Sequence, residues 1–134
     1  MSRKLNCSIL TPERTIYDGD IDFVVVQAFD GELGFLPGHS PLISELGVGE
    51  IRLRDKTSTD YMMIEGGIVE IRENKLIILA ENAMRKDELN KEELEKLNKE
   101  LGEKQSELDP FSDEMIEIKL EQQKIKARLK VALR

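Results

Sequence analysis

The sequence is poor in the residue types that mark several classes of protein. It contains no tryptophan, aromatic residues make up 4% of the chain, and the formal net charge is −7. Such a surface repels phosphates and offers few rings for base stacking, so a nucleic-acid partner is not expected. The single cysteine, Cys7, has no internal disulfide partner, which is usual in a reducing compartment.

Long apolar runs and targeting segments are also missing. No run approaches the ~18 residues of a membrane span, and the start of the chain resembles neither a secretory signal nor an Arg-rich presequence. His39 is the one histidine and has no cysteine beside it, so we expect no metal and no cofactor. Because no Ser/His/Asp or Cys/His arrangement is present, the chain is not expected to be an enzyme. We expect a soluble bacterial protein of the cytosol.

The first part of the chain is patterned for β-strands. Apolar residues alternate or form short blocks that Gly, Pro and Asp interrupt, as in residues 21–26 and 76–79. Gly66-Gly67 separates two further blocks, and the missing side chains there allow a bulge or a close backbone approach. Many short strands at this spacing predict a β-sandwich domain over residues 1–85.

Residues 86–134 are patterned for two helices with an apolar stripe each. Asn90 and Ser112 are placed to cap them, and Pro110 separates them. This pattern predicts an antiparallel α-helical hairpin with little core of its own. The two stripes are Leu94, Leu97, Leu101 and Leu108 in the first helix, and Met115, Ile118, Ile125, Leu129 and Ala132 in the second.

The second predicted helix is basic although the protein is acidic. Residues 119–134 hold six basic side chains and one acidic side chain, so their net charge is +5. These cations can simply complement the negative end of the helix dipole and keep one face solvated. Alternatively, they form an arm that docks on an acidic partner surface, with the apolar stripe buried on contact. Both interpretations agree with the sequence.

A segment rich in glycine and proline, residues 31–42, has no helical or strand period and predicts a loop. No Lys-Ser/Thr pair follows Gly38, so a phosphate-binding loop is not indicated. The segment reads G-E-x-G-x-x-P-G-H-x-P-L, which resembles the signature of ATP synthase epsilon subunits. Residues 11–14 and 65–70 also resemble this family, and the resemblance extends over the whole chain.

The resemblance implies a non-catalytic subunit at the foot of the central stalk, which couples the gamma subunit to the membrane-embedded c-ring. The implied partners are gamma, the c-ring and the alpha/beta catalytic hexamer. Membrane association would come only through the complex, on the cytoplasmic face of the bacterial cell membrane. By position, the implied c-ring contacts are Asp30, Gly31 and Glu32. The implied gamma contacts are Gly38, His39 and Ser40.

The resemblance also implies that the hairpin either folds on the sandwich or extends along gamma toward the catalytic subunits. There its basic residues would block rotation and inhibit ATP hydrolysis. At ~1.5 Å per residue, residues 90–134 span roughly 65 Å when extended and about half of that as a hairpin. The candidate inhibitory residues are Lys119, Lys124, Lys126, Arg128 and Lys130.

One stretch departs from the family pattern. Members that bind ATP carry Ile/Leu-Asp-x-x-Arg-Ala at the start of the first helix. Here Asn90 stands in place of the Asp and Glu93 in place of the Arg, so a cationic phosphate partner becomes an anion. We therefore expect no nucleotide binding by this chain.

Plainer alternatives stand beside these assignments. Glu32 can be a solvated loop carboxylate, and His39 can be a turn residue whose hydrogen bonds are satisfied locally. For the whole chain, the alternative is a stand-alone ligand-binding β-sandwich module with a helical appendage. Co-purification with gamma and the alpha/beta hexamer distinguishes the two functions.

Overall fold

The computed structural model describes residues 3–134, which form seven strands followed by two helices. The strands are β1 (Leu5–Leu10), β2 (Thr15–Ile21), β3 (Phe23–Ala28), β4 (Gly31–Phe35), β5 (Leu42–Asp55), β6 (Ser58–Arg72) and β7 (Lys75–Arg85). A short 3-10 helix (Lys86–Glu88) leads into α1 (Lys91–Glu107) and α2 (Asp113–Ala132). The strand order is β2-β1-β7-β6-β5-β3-β4, in which β1 and β7 are parallel and the other neighbours are antiparallel.

The sheet folds over because its two longest strands, β5 and β6, pass through a bend. Their pairing skips Gly47 and Gly66. Gly67 follows with a φ of 132°, and a Cβ there would lie 2.1 Å from the carbonyl oxygen of Leu79, so no side chain fits. β2 and β1 lie in one half of the resulting β-sandwich, and β3 and β4 lie in the other. The close approach predicted at Gly66-Gly67 is confirmed.

The hydrophobic core lies between the two halves. Alternation along β1 turns Leu5, Cys7 and Ile9 inward, and each is 0% exposed. Burying a large apolar side chain contributes about 1.5–3 kcal/mol relative to leaving it exposed. Burial also raises the pKa of the Cys7 thiol to about 12, so the thiol stays protonated at neutral pH. Every described member of the core cluster belongs to a strand.

The loop predicted over residues 31–42 is wrong in its first part. Gly31–Phe35 is a strand, β4, which pairs with β3. Leu33 and Phe35 alternate with shorter or polar residues and pack on the core. In five residues with two glycines, this alternation is too brief to distinguish a strand from a loop by sequence. The strand is recognised only from its hydrogen bonds to β3. Only residues 36–41 connect β4 to β5 without regular structure.

Two predicted strand boundaries also differ from the structure. The blocks on either side of Gly66-Gly67 form the single strand β6, because the bend keeps its pairing with β5 and β7. Residues 21–26, predicted as one strand, are divided at Asp22. The carboxylate of Asp22 accepts a hydrogen bond of 2.6 Å from the backbone N–H of Lys56, which fixes the break.

The helical hairpin follows the predicted caps. The side chain of Asn90 accepts a hydrogen bond from the N–H of Glu93, and Ser112 accepts one from Met115. The α1 stripe is only partly buried, since Leu97 is 44% exposed. α2 packs on α1 and on β5 and β6, so it makes the main contact between the hairpin and the sandwich. A β-sandwich followed by a helical hairpin is the fold class that the sequence predicts.

Candidate functional site

α2 lies on the outer face of the sandwich half that contains β3 and β4. Alternate residues of β5 and β6 point outward here, among them Glu50, Arg52, Met63 and Glu65. Met63 is 0% exposed although it lies outside the core cluster, because α2 covers this face. The same cover buries Glu50 and Glu65, which are the buried charged residues of the described chain.

Glu65 is the first anchor of α2. Nη2 of Arg128 lies 2.9 Å from both carboxylate oxygens, and Nζ of Lys124 lies 3.9 Å from Oε1. Nδ2 of Asn82 donates a third bond of 2.9 Å to Oε2. A carboxylate this deeply buried is stable only while such partners replace its lost hydration. Removing α2 would leave Glu65 to water and to Asn82.

Glu50 is the second anchor. Nε and Nη2 of Arg134 each donate a 2.8 Å hydrogen bond to a different oxygen of its carboxylate. The same guanidinium lies over the ring of Tyr61, with its carbon 4.7 Å from the ring centroid. Burial acts to raise the pKa of Glu50, but the hydrogen bonds and charge of Arg134, the charge of Lys130 and the hydrogen bond from Arg52 together hold that pKa below its ordinary value. We call Glu65–Arg128 and Glu50–Arg134 the two docking pairs.

The predicted inhibitory residues therefore divide into two groups. Arg128 and Lys124 point at Glu65 of the sandwich. The other three are exposed and make no ion pair with the described residues, and they are Lys119, Lys126 and Lys130. One of the two interpretations of the sequence was docking on an acidic partner surface. In the folded chain this helix meets two buried carboxylates of its own sandwich.

The predicted c-ring contacts lie at the turn between β3 and β4, beside the bend of the sandwich. Gly31 has a φ of 141°, a conformation that favours glycine, and Asp30 is exposed. Glu32 is half exposed and binds Nη2 of Arg52 at 3.1 Å. Sequence reasoning missed Phe29, which is 82% exposed at the tip of this turn.

The predicted gamma contacts lie elsewhere, in the connection from β4 to β5. Gly38 has a φ of 82°, and its N–H donates a 2.9 Å bond to Oδ1 of Asn74 in the β6–β7 turn. Nδ1 of His39 lies 2.6 Å from the carbonyl oxygen of Ser40, and its ring centroid is 5.1 Å from that of Phe35. His39 thus has local contacts of the plainer kind, while Ser40 is exposed.

A second surface was not predicted from the sequence. Four large apolar side chains of β5, β6 and β7 are exposed on the outer face of the sandwich half that contains β1. The run Leu76 to Leu79 could have predicted this surface. Four successive apolar residues in a strand place apolar side chains on both faces of the sheet. This outer apolar face consists of Ile43, Ile68, Ile77 and Leu79.

A groove of about 780 Å³ adjoins this face at the bend, between Leu10 and Pro12 on one side and Leu46 and Gly67 on the other. Within residues 3–134, no cluster of three or more His, Cys, Asp or Glu side chains is placed to bind a metal ion. No helix in the same range has both the length and the apolar character needed to cross a membrane.

Comparisons with known proteins agree with this architecture. A family model described as the ATP synthase, Delta/Epsilon chain, beta-sandwich domain matches residues 4–86. The ATP synthase epsilon chain of Leptospira interrogans is 35% identical over 133 residues, which cover 99% of this chain and 98% of the relative. The chain belongs to the ATP synthase epsilon-chain family. The family resemblance of the 31–42 motif and the prediction of a non-catalytic subunit are both confirmed.

Other members of the epsilon-chain family match over less of their length. The epsilon chain of Alkalihalophilus pseudofirmus is 44% identical over 79 residues, so this chain spans 59% of that relative. Among solved structures, a chain of the Euglena gracilis mitochondrial ATP synthase superposes with a TM-score of 0.84. That superposition covers 98% of this chain and 82% of the other at 19% identity, and it shows the fold.

Proposed function

We propose that this protein is a central-stalk subunit that joins gamma to the c-ring during ATP synthesis and limits ATP hydrolysis through its hairpin. The observation that carries the proposal is that α2 meets the sandwich through two buried ion pairs and a small apolar contact at Met63, while none of its residues joins the described core cluster. Buried ion pairs contribute little net stability once desolvation is counted. A docked and a released hairpin can therefore lie within a few kcal/mol of each other, as a reversible switch requires.

Release would change which cations the hairpin presents. In the docked chain Arg128 and Lys124 are engaged by Glu65, whereas Lys119 and Lys126 already face solvent. Extension would expose all of them toward an acidic surface of the catalytic subunits, at a reach of roughly 65 Å. The division into a β-sandwich domain that binds gamma and the c-ring, residues 1–85, and a two-helix regulatory hairpin, residues 86–134, belongs to this proposal.

The contacts with the other subunits follow from the two remaining surfaces. We assign gamma to the outer apolar face together with the turn that holds Gly38, His39 and Ser40. That turn leads directly into β5 and Ile43, and exposed apolar surface is typical of a protein interface. Ile68 pairs with Leu79 on this face, and Glu70 lies between Ile43 and Ile77. The c-ring would contact Asp30, Gly31 and Glu32, with Phe29 as an apolar anchor at the same turn.

Location follows from these partners. The subunit would be peripheral, held at the cytoplasmic face of the bacterial cell membrane through gamma and the c-ring. The alpha/beta hexamer would be reached only by the extended hairpin. None of these contacts requires a cofactor.

The test is ATP hydrolysis by the reconstituted complex. Glu65→Gln removes the anchor of Arg128 but leaves every cation of the hairpin in place, so the extended state should gain population and hydrolysis should fall several-fold. Lys119→Ala with Lys126→Ala leaves both docking pairs intact and should raise hydrolysis. A chain that ends at Arg85 should raise it most.

Glu103→Gln is the matched control, because Glu103 is an exposed helical glutamate without an ion pair among the described residues. It should leave hydrolysis unchanged. If neither Glu65→Gln nor the truncation alters hydrolysis, the hairpin is not an inhibitor in this complex and the regulatory half of the proposal fails. If the chain does not co-purify with gamma at all, the stalk assignment fails with it.

A further inference from the structure

Four charged side chains connect the β3–β4 turn to the end of the hairpin. Nη2 of Arg52 lies 3.1 Å from Oε2 of Glu32, and Nη1 of the same residue lies 3.5 Å from Oε1 of Glu50. Glu50 in turn binds Arg134 through two 2.8 Å hydrogen bonds. We call Glu32–Arg52–Glu50–Arg134 the charge row. Its two ends are solvent-accessible, while the side chain of Glu50 in the middle is 3% exposed.

The two arginines share one acceptor. Oε1 of Glu50 lies 3.5 Å from Arg52 and 2.8 Å from Arg134, so the two guanidiniums compete for it. Glu32 attracts Arg52 away from Glu50, since the Arg52–Glu32 contact of 3.1 Å is shorter than the Arg52–Glu50 contact of 3.5 Å. With both carboxylates present, two cations and two anions balance. Without Glu32, two cations would face the single buried carboxylate.

We propose that the charge row makes hairpin docking depend on what binds Glu32, so that a cationic loop of a partner at the β3–β4 turn loosens Arg134. When an ammonium or guanidinium group of the partner binds the carboxylate of Glu32, Arg52 loses the nearer of its two carboxylate partners. Arg52 then moves toward Glu50, and repulsion between the two guanidiniums weakens the second docking pair. The inference rests on the proposed function, because it takes the docked hairpin as one state of a switch.

The environment of Glu50 makes such a coupling effective. Its carboxylate is shielded from water, so a change in the partners of Arg52 is screened less than it would be at the surface. Glu32 is about half exposed, which leaves it accessible to a partner. A guanidinium is not deprotonated in proteins, so Arg52 stays charged whichever carboxylate it faces.

The experiment measures hydrogen exchange of the α2 amides in the isolated full-length chain, in the absence of any partner. Glu32→Gln mimics occupation of Glu32 and should speed exchange in residues 113–132 by about two- to fivefold, the range expected for one partly exposed ion pair. Arg52→Gln removes the competitor and should leave exchange unchanged or slower. Adding Glu32→Gln to Arg52→Gln should have no further effect.

This comparison separates coupling from simple loss of stability. Both single variants break the Glu32–Arg52 pair, so a merely structural role predicts faster exchange in both. If Glu32→Gln still speeds exchange on the Arg52→Gln background, Glu32 acts on Arg134 directly and the charge row is not the route. Glu73→Gln, an exposed carboxylate in the β6–β7 turn, is the matched control and should change nothing.

Glu50→Gln keeps the inference and the proposed function distinguishable. It removes the second docking pair itself and should speed α2 exchange more than any other variant, with the strand amides as an internal check of folding. If Glu50→Gln speeds α2 exchange and Glu32→Gln does not change it, the coupling is wrong, but the role of the docking pairs in holding the hairpin still stands. If Glu50→Gln is silent as well, paired charges do not hold the hairpin, and the proposed function loses its main support.

Discussion

Single residues decide how firmly the hairpin is held. Arg134 presents two nitrogens to the two oxygens of Glu50, a geometry that a lysine cannot reproduce with one ammonium group. Arg128 acts through one nitrogen that lies between both oxygens of Glu65. Replacing either arginine would leave a buried carboxylate short of a partner, which costs more than the pair contributes when it is intact.

At the same scale, docking of the hairpin should weaken below about pH 4.3, the ordinary pKa of a glutamate. Arg134, Lys130 and Arg52 together hold the pKa of Glu50 below that value, against the effect of burial. Stability from a lowered carboxyl pKa is complete above the ordinary value and is lost as the pH falls through the lowered one. Hydrogen exchange of α2, corrected for intrinsic rates, measures this between pH 7 and pH 3.

Glu50→Gln provides the comparison for that pH profile. Its α2 amides should exchange faster at neutral pH and should depend less on pH between 4.3 and 3. Other carboxylates also titrate with lowered pKa values, such as Glu88 beside Arg14, so the difference between the two proteins is the quantity that counts. Identical profiles would assign the pH effect to those other carboxylates.

Among the elements, the hairpin depends on the sandwich more than the sandwich depends on the hairpin. The described core cluster draws only on strands, and the hairpin's own buried apolar residues are few. In proteins most of the stability of a helix comes from tertiary packing of its apolar face, and these helices have little to pack against besides the sandwich. The sheet, by contrast, has seven strands that are each hydrogen-bonded to their neighbours.

A chain that ends at Arg85 should therefore fold and melt in one cooperative transition. Losing α2 uncovers Met63, which costs on the order of 1.5 kcal/mol, and lowers the melting temperature by about 6–12 °C. Glu50 and Glu65 regain water, which offsets part of that cost. Circular dichroism follows the melt, and pull-down with gamma tests binding. An unfolded fragment would mean that the sandwich is not an independent domain.

Across the whole molecule, the two outer faces of the sandwich are used differently. α2 covers the face that carries Glu50 and Glu65, whereas the outer apolar face on the opposite half stays open. Under the proposed function, gamma would bind the open face, and the hairpin would leave and return to the other. The β3–β4 turn lies at a third position, beside the bend.

This arrangement predicts a selective loss of gamma binding. Ile68→Lys or Leu79→Lys places a charge in the middle of the outer apolar face and should weaken gamma binding about tenfold or more, as for a central interface residue. The thermal stability of the isolated chain should change little, because both side chains are about half exposed. Calorimetric titration with gamma gives the affinity.

Ile116→Lys is the matched control for gamma binding, because Ile116 is an isoleucine of α2 with 59% exposure. It should bind gamma like the unaltered chain. Equal affinities for Ile116→Lys and Ile68→Lys would show that gamma does not use the outer apolar face. The turn at Gly38, His39 and Ser40 would then remain as the only proposed contact.

The sequence by itself determined the features that rest on local pattern. Alternation along β1, the apolar stripes of the helices and the caps at Asn90 and Ser112 all depend on residues a few positions apart, so they can be read along the chain. The motif in residues 31–42 was enough to indicate the family. Its first part still formed a strand, because β4 exists only through hydrogen bonds to β3.

Only the tertiary structure decided what the charged residues do. Glu65 and Arg128 are 63 residues apart in sequence, and Glu50 and Arg134 are 84 apart, so no local period links either pair. The sequence presents twenty basic and twenty-seven acidic side chains, and nothing in their order says which will meet. Partners are chosen when α2 docks on the sheet, since burial removes the water that would otherwise solvate each charge separately.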